Sequence, residues 1–173
     1  LGLLGLGKIG LQVAKVGQAF GMNVVAWSQN LTKETAEASG IALAPSKEAL
    51  LETSDFVSVH LVLSERTKDL IRAADIARMR PSAYLINTSR GPIVNEADLI
   101  QALQEQRIAG AGLDVFEVEP LPAEHPFRTL PNVLATPHLG YVTKENYDIY
   151  FKEALENIQA YIHGSCIRML SNP

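Results

Sequence analysis

The chain has 173 residues, 47% apolar and 20% charged, with a formal net charge of −4. That size and balance fit a soluble globular domain that can bury a core without disulfides. No basic run invites nucleic acid or an anionic membrane surface, and no apolar stretch is long enough to span a bilayer or to form a signal segment. In chain order, Leu1–Leu4 reads as an apolar strand. A sequence that opens in mid-strand at Leu1 reads as a piece of something longer. Ile9, Val13, Val16 and Phe20 recur at helical spacing, and Asn23–Trp27 reads as a second strand. Ser46 is placed to cap a short helix through Leu51, followed by a strand at Phe56–His60 and another at Tyr84–Asn87. Asn95 can cap a helix with Asp98 in its first turn and Leu99 and Leu103 on one face. Two further strands are expected at Ala111–Val115 and Asn132–Ala135. Glu117–Pro137 holds five prolines and is expected to be mostly loop. From Thr143 a long helix is predicted, with Tyr147, Phe151, Ala154, Ile158 and Ile162 on one face, ending near Gly164 and leaving an irregular tail over Ser165–Pro173. The single cysteine, Cys166, cannot pair within the chain, and no Cys/His cluster has metal-ligand spacing. A reducing, cytoplasmic setting and no metal site are expected. Alternating strands and helices imply an α/β fold, a doubly wound parallel sheet of the Rossmann type. The expected division is a dinucleotide-binding domain over 1–142, then a C-terminal helix and tail over 143–173.

The chemistry starts at Gly5-Leu6-Gly7-Lys8-Ile9-Gly10, a G-x-G-x-x-G between a strand and a helix. Gly5 permits the tight turn, Gly7 lets backbone approach a pyrophosphate, and Gly10 lets the helix pack close to the strand. Lys8 and Ile9 open the helix, whose N-terminus offers N–H groups and a positive dipole end to phosphates. An acidic residue is expected about 20 positions later to hold the ribose hydroxyls. Ser28 stands there instead, so both NAD and NADP fit the sequence, with Ser28, Asn30 or Lys33 as contacts to a hydroxyl or a phosphate.

Ligands of open α/β sheets bind beyond the carboxyl ends of the strands. Those ends carry His60, Thr88-Ser89-Arg90, Asp114 and His138. Arg90 offers a planar fork of donors for a carboxylate or a polarised carbonyl. His138 is a proton donor and acceptor near neutral pH, and a carboxylate such as Glu119 bonded to it raises an imidazole pKa and fixes its orientation. Asp114 can accept from a nicotinamide carboxamide or cap the next turn. His60 reads better as a structural histidine, and His125 and His163 carry no signal.

Four motifs in order, Gly5–Gly10, Asn87-Thr88-Ser89-Arg90-Gly91, Gly112–Phe116 running to Glu119-Pro120-Leu121-Pro122, and Pro137-His138-Leu139-Gly140, resemble the D-isomer-specific 2-hydroxyacid dehydrogenases. The resemblance runs from Leu1 to about Asn172. It implies that Arg90 binds the carboxylate and keto group of a 2-oxoacid, that His138 is the acid/base for hydride transfer, and that Glu119 keeps His138 protonated. It makes Asp114 the carboxamide contact and Thr88 and the backbone after His60 cofactor-lining positions. It implies a homodimer formed through this domain, and a separate substrate domain that closes over it. Without that domain, cofactor binding with little turnover is expected. Val62 departs from the proline usual two residues after the family histidine, as Ser28 departs from the acidic ribose ligand. The alternative reading is a dinucleotide-sensing interaction module, like the corepressors that resemble the same family. A methyltransferase using S-adenosylmethionine also has a glycine-rich first turn, but lacks the later Arg, Glu and His motifs.

Overall fold

A computed structural model describes residues 1–170; residues 171–173 lie outside it, and with them the end of the expected tail. The chain forms two compact units, Leu1–His138 and Leu139–Pro173.

The first unit is built on seven parallel strands in the order β3-β2-β1-β4-β5-β6-β7. These are β1 (Gly2–Leu4), β2 (Val25–Trp27), β3 (Ala42–Leu43), β4 (Phe56–Val59), β5 (Tyr84–Asn87), β6 (Gly110–Leu113) and β7 (Val133–Ala135). Six were expected within a residue or two at each end. The seventh, β3, is two residues long and too short to show a period. Helices α1 (Lys8–Ala19), α2 (Lys33–Ala38), α3 (Lys47–Thr53), α4 (Ala73–Ile76) and α5 (Glu96–Gln104) make the crossovers. The strand order reverses between β1 and β4, so the loops after these two strands diverge and open a crevice. The glycine turn sits in it.

Hydroxyl and amide caps start several of the helices. Ser46 accepts from the Ala49 N–H at 3.1 Å and Asn95 from the Asp98 N–H at 3.1 Å, as their positions predicted. Thr32 caps α2 in the same way, a helix not anticipated. The core fills both faces of the sheet. Leu4, Leu50, Leu51, Val57, Val59, Leu85, Leu99 and Leu103 form the larger cluster; Leu3, Ala14, Val24, Ala26 and Ile41 form the smaller, beneath α1.

Helix α1 forms where the spacing placed it, but the apolar stripe is not its buried face. Ile9, Val16 and Phe20 are exposed, Phe20 to 81%. Only Val13 of the four packs on the core; the buried positions are Gly10, Ala14 and Gly17. The helix lies so close to the sheet that only small residues fit. A Cβ at Gly17 would come within 2.7 Å of the Leu1 side chain. The proline-rich stretch is loop apart from a single turn of 3-10 helix at Pro126–Arg128 and β7, and its Glu119–Pro120 peptide is cis.

The second unit is dominated by α6 (Lys144–Ile162), capped by Thr143 at the Asn146 N–H and followed by Gly164 at φ +75°. Tyr147 and Phe151 stack with ring centroids 6.0 Å apart, one turn apart on the expected face. No residue of α6 is buried.

Candidate active site

Three loops at the carboxyl edge of the sheet gather the candidate residues of the first unit. In the first, Gly5 has φ +105°, a conformation open mainly to glycine. A Cβ there would stand 2.6 Å from the His60 carbonyl oxygen, and one at Gly10 would stand 2.3 Å from the Gly5 oxygen. Gly5 and Gly10 therefore hold the turn, β4 and α1 in mutual contact. Gly7 differs, because nothing lies within 4 Å of its missing Cβ. It caps α1 by backbone alone, and the first-turn N–H groups that follow, at Lys8, Ile9 and Gly10, have no intrahelical acceptor. Exposed donors, a dipole end and an open glycine make a cradle that fits a pyrophosphate.

The cradle opens on a cavity of about 300 Å³ lined by Ile9, His60, Val62, Thr88 and Arg90. Leu61 and Val62 also line a neighbouring cavity of about 290 Å³ that holds Ser28 and Asn30, so the two adjoin. The His60 ring is satisfied by Ser58 Oγ, 2.9 Å from Nε2, and burial pushes its pKa down. It is a hydrogen-bonded wall residue, the satisfied structural histidine its place at a strand end suggested. Val62, where the resembling family often has proline, is exposed, and its carbonyl accepts from the Thr67 hydroxyl at 2.6 Å, which fastens the loop.

Arg90 follows β5. Buried Asn87 shapes its loop, donating from Nδ2 to the Arg90 carbonyl and accepting from the Ser89 N–H. Ser89 donates through its hydroxyl to the Leu61 carbonyl, tying the β5 loop to the β4 loop. Gly91 is packed so closely that a Cβ would overlap the Phe116–Glu117 peptide at 2.1 Å. That contact brings the Arg90 loop against the loop that carries Glu119.

Glu119 and His138 meet directly. His138 Nδ1 donates to Glu119 Oε2 at 2.7 Å, and the Phe116 N–H donates to Glu119 Oε1 at 2.9 Å. An ionised carboxylate only accepts, so Nδ1 carries the proton in this pair. Burial raises the Glu119 pKa, but the His138 and Phe116 hydrogen bonds and the charges of His138 and Arg90 outweigh it, holding the carboxyl below its ordinary range. Both side chains are about a third exposed. His138 sits at φ +56°, an uncommon conformation for a residue with a side chain, of the kind that collects at functional sites. The pair lines a cavity of about 340 Å³ with Phe116, Pro120 and Leu121, which shares no lining residue with the one holding Arg90.

Asp114 is buried just past β6 and its Oδ1 accepts from the Thr136 hydroxyl at 2.5 Å. A second acid–imidazole pair escaped the sequence reading. His125 Nε2 lies 3.0 Å from Glu96 Oε1, and Glu96 Oε2 accepts from the Glu117 N–H. The partners are 29 residues apart, and no local pattern links them. Among the described residues, no group of three or more His, Cys, Asp or Glu could hold a metal ion, and no helix is long and apolar enough to cross a membrane.

Comparison with known proteins places this geometry. The profile of the D-isomer specific 2-hydroxyacid dehydrogenase NAD binding domain matches residues 1–140. A glyoxylate/hydroxypyruvate reductase B from Enterobacter agglomerans is 41% identical over 174 residues, covering 100% of this chain and 54% of that protein. The structure of a phosphoglycerate oxidoreductase from Vibrio cholerae aligns with a TM-score of 0.89 and 38% identity, over 95% of this chain and 52% of that one. A D-lactate dehydrogenase with NAD+ from Lactobacillus jensenii aligns with a TM-score of 0.81 and 30% identity, over 99% and 55%. The chain spans about half the length, or less, of the curated relatives it matches.

Proposed function

The chain belongs to the D-isomer specific 2-hydroxyacid dehydrogenase family as its NAD-binding domain, and from that premise we propose that it serves the NAD(P)-dependent interconversion of a 2-oxoacid and a D-2-hydroxyacid. The observation that carries the reading is the 2.7 Å His138–Glu119 pair, with the Arg90 charge within electrostatic reach, at the strand edge that also bears the glycine cradle.

Gly5, Gly7, Lys8, Ile9 and Gly10 hold the dinucleotide's phosphates, Ser28 the adenosine ribose, and Thr88 and Asp114 the nicotinamide end. When bound, the nicotinamide supplies or takes up a hydride at the substrate's C2. Arg90 binds the substrate carboxylate through its planar fork and polarises the keto group. With Nδ1 turned to Glu119, Nε2 of His138 is the nitrogen that passes a proton to the keto oxygen in reduction and takes it back in oxidation. Glu119 stays ionised because its pKa is lowered, and so remains the acceptor that orients the His138 ring.

The substrates named for the relatives, glyoxylate and hydroxypyruvate, are short 2-oxoacids suited to one arginine and one acid. The family relationship also supports a homodimer through this domain and a cytoplasmic location. These 173 residues alone bind cofactor and turn over little. A screen of glyoxylate, hydroxypyruvate, pyruvate and longer 2-oxoacids with NADH and NADPH on the full-length protein tests the reading. Loss of dinucleotide oxidation in His138→Asn with retained NADH binding supports it; unchanged rates in that variant sink it.

A further inference from the structure

We propose that the cavity beyond β2 selects a dinucleotide bearing a 2′-phosphate, with Arg66 as the phosphate anchor. The inference rests on the dinucleotide-binding reading above and assigns its adenosine end. Recognition of a bare ribose diol favours a carboxylate, which accepts from both hydroxyls and repels a 2′-phosphate. Ser28 occupies that position at the end of β2, and no Asp or Glu lines the cavity of about 290 Å³ around it. The lining donors include the Ser28 hydroxyl, the Gln29 and Asn30 amides and the Arg66 guanidinium, the one cation on the lining.

Arg66 is unlike the other seven arginines of the chain. Arg72, Arg78, Arg80 and Arg168 face carboxylates, and Arg90, Arg107 and Arg128 donate to backbone carbonyls. Among the described residues nothing takes the Arg66 guanidinium. Yet the loop that presents it is fastened. Neighbouring Thr67 donates to the Val62 carbonyl at 2.6 Å and accepts from the Ser64 N–H at 2.8 Å. A cation held beside an acid-free cavity is arranged for a dianion, and its planar fork matches phosphate oxygens. Leu61 and Val62 line this cavity and the one at the glycine cradle, so the two cavities adjoin.

The test reads binding rather than turnover. Trp27, the only tryptophan, lines the cavity, so energy transfer from it to a bound dihydronicotinamide reports NADPH and NADH directly. Calorimetry with 2′,5′-ADP and 5′-AMP isolates the adenosine end. One charge-assisted contact predicts NADPH at least about tenfold tighter than NADH, and 2′,5′-ADP likewise over 5′-AMP. Arg66→Gln, on an exposed side chain, brings each pair within about threefold, and Ser28→Asp reverses the order. A wild-type ratio below tenfold, or one unmoved by Arg66→Gln, overturns the phosphate selection and leaves the dinucleotide site standing. Binding of neither dinucleotide overturns both.

Discussion

Gly5 and Gly7 belong to one motif but bear different loads, and substitution separates them. Alanine at Gly5 must adopt φ +105° with its Cβ 2.6 Å from the His60 carbonyl. Gly5→Ala therefore costs about 1–3 kcal/mol of stability, read by chemical denaturation, and loses NADH binding with it. Gly7→Ala has open space and ordinary backbone angles, so it costs only about 0.5–1 kcal/mol as a poorer N-cap. Its NADH dissociation constant still rises about tenfold or more, because the new methyl stands where the pyrophosphate approaches. Equal stability losses at the two positions would refute this division. Glu119 makes a prediction in pH. Its folded pKa is depressed, so its contribution to stability is complete above the ordinary glutamate value of about 4.3 and disappears as pH falls through the lowered folded value. Wild type is thus more stable than Glu119→Gln at pH 6, and the gap closes below about pH 4. A gap that is constant with pH would show that the carboxylate's charge is not what holds the pair.

At the scale of elements, the candidate site was more legible than its support. Arg90 and His138 stand just beyond strand ends, a position that strand patterning alone can locate, whereas Glu119 lies further along the loop after β6 and is legible only through its motif. The contacts that hold them are long-range: Gly91 against the Phe116–Glu117 peptide, Ser89 on Leu61, and Glu96 on His125 and Glu117. None leaves a local signature. Helix α1 shows the converse, since its apolar spacing gave the element but not the face. Gly10, Ala14 and Gly17 are buried because close helix–sheet approach selects small side chains, whereas periodicity weights large ones. The Glu96 clasp can be tested on its own. Glu96→Ala strands the largely buried His125 ring and the Glu117 N–H, a loss of about 1–3 kcal/mol. Because the loop from Glu117 to His125 carries Glu119, amide exchange at Glu117 and Phe127 should quicken beyond the global change. Protection that falls only in step with overall stability would mean the clasp does not restrain the loop locally.

At the scale of the molecule, the sheet puts the proposed binding and proton-transfer groups on one edge but leaves them wet. Arg90 is exposed, and Glu119 and His138 are each about a third exposed. In water, the attraction of Arg90 for the proposed substrate's carboxylate is strongly screened, and side chains this exposed fix a keto carbon poorly against a cofactor. Rate depends on such positioning more steeply than binding does: the phosphate cradle works one-sided, whereas hydride and proton transfer need both partners aligned at once. The 173 residues by themselves should therefore bind reduced dinucleotide while reducing glyoxylate at least about 100-fold more slowly than a relative of twice the length, such as the Enterobacter agglomerans reductase, assayed beside it. Saturation with NADH or NADPH should not close that difference, because the deficit lies in aligning the substrate and not in occupancy of the cradle. Turnover equal to the longer protein's would mean that Arg90, Glu119 and His138 suffice in open solvent, and that exclusion of water contributes little to this chemistry.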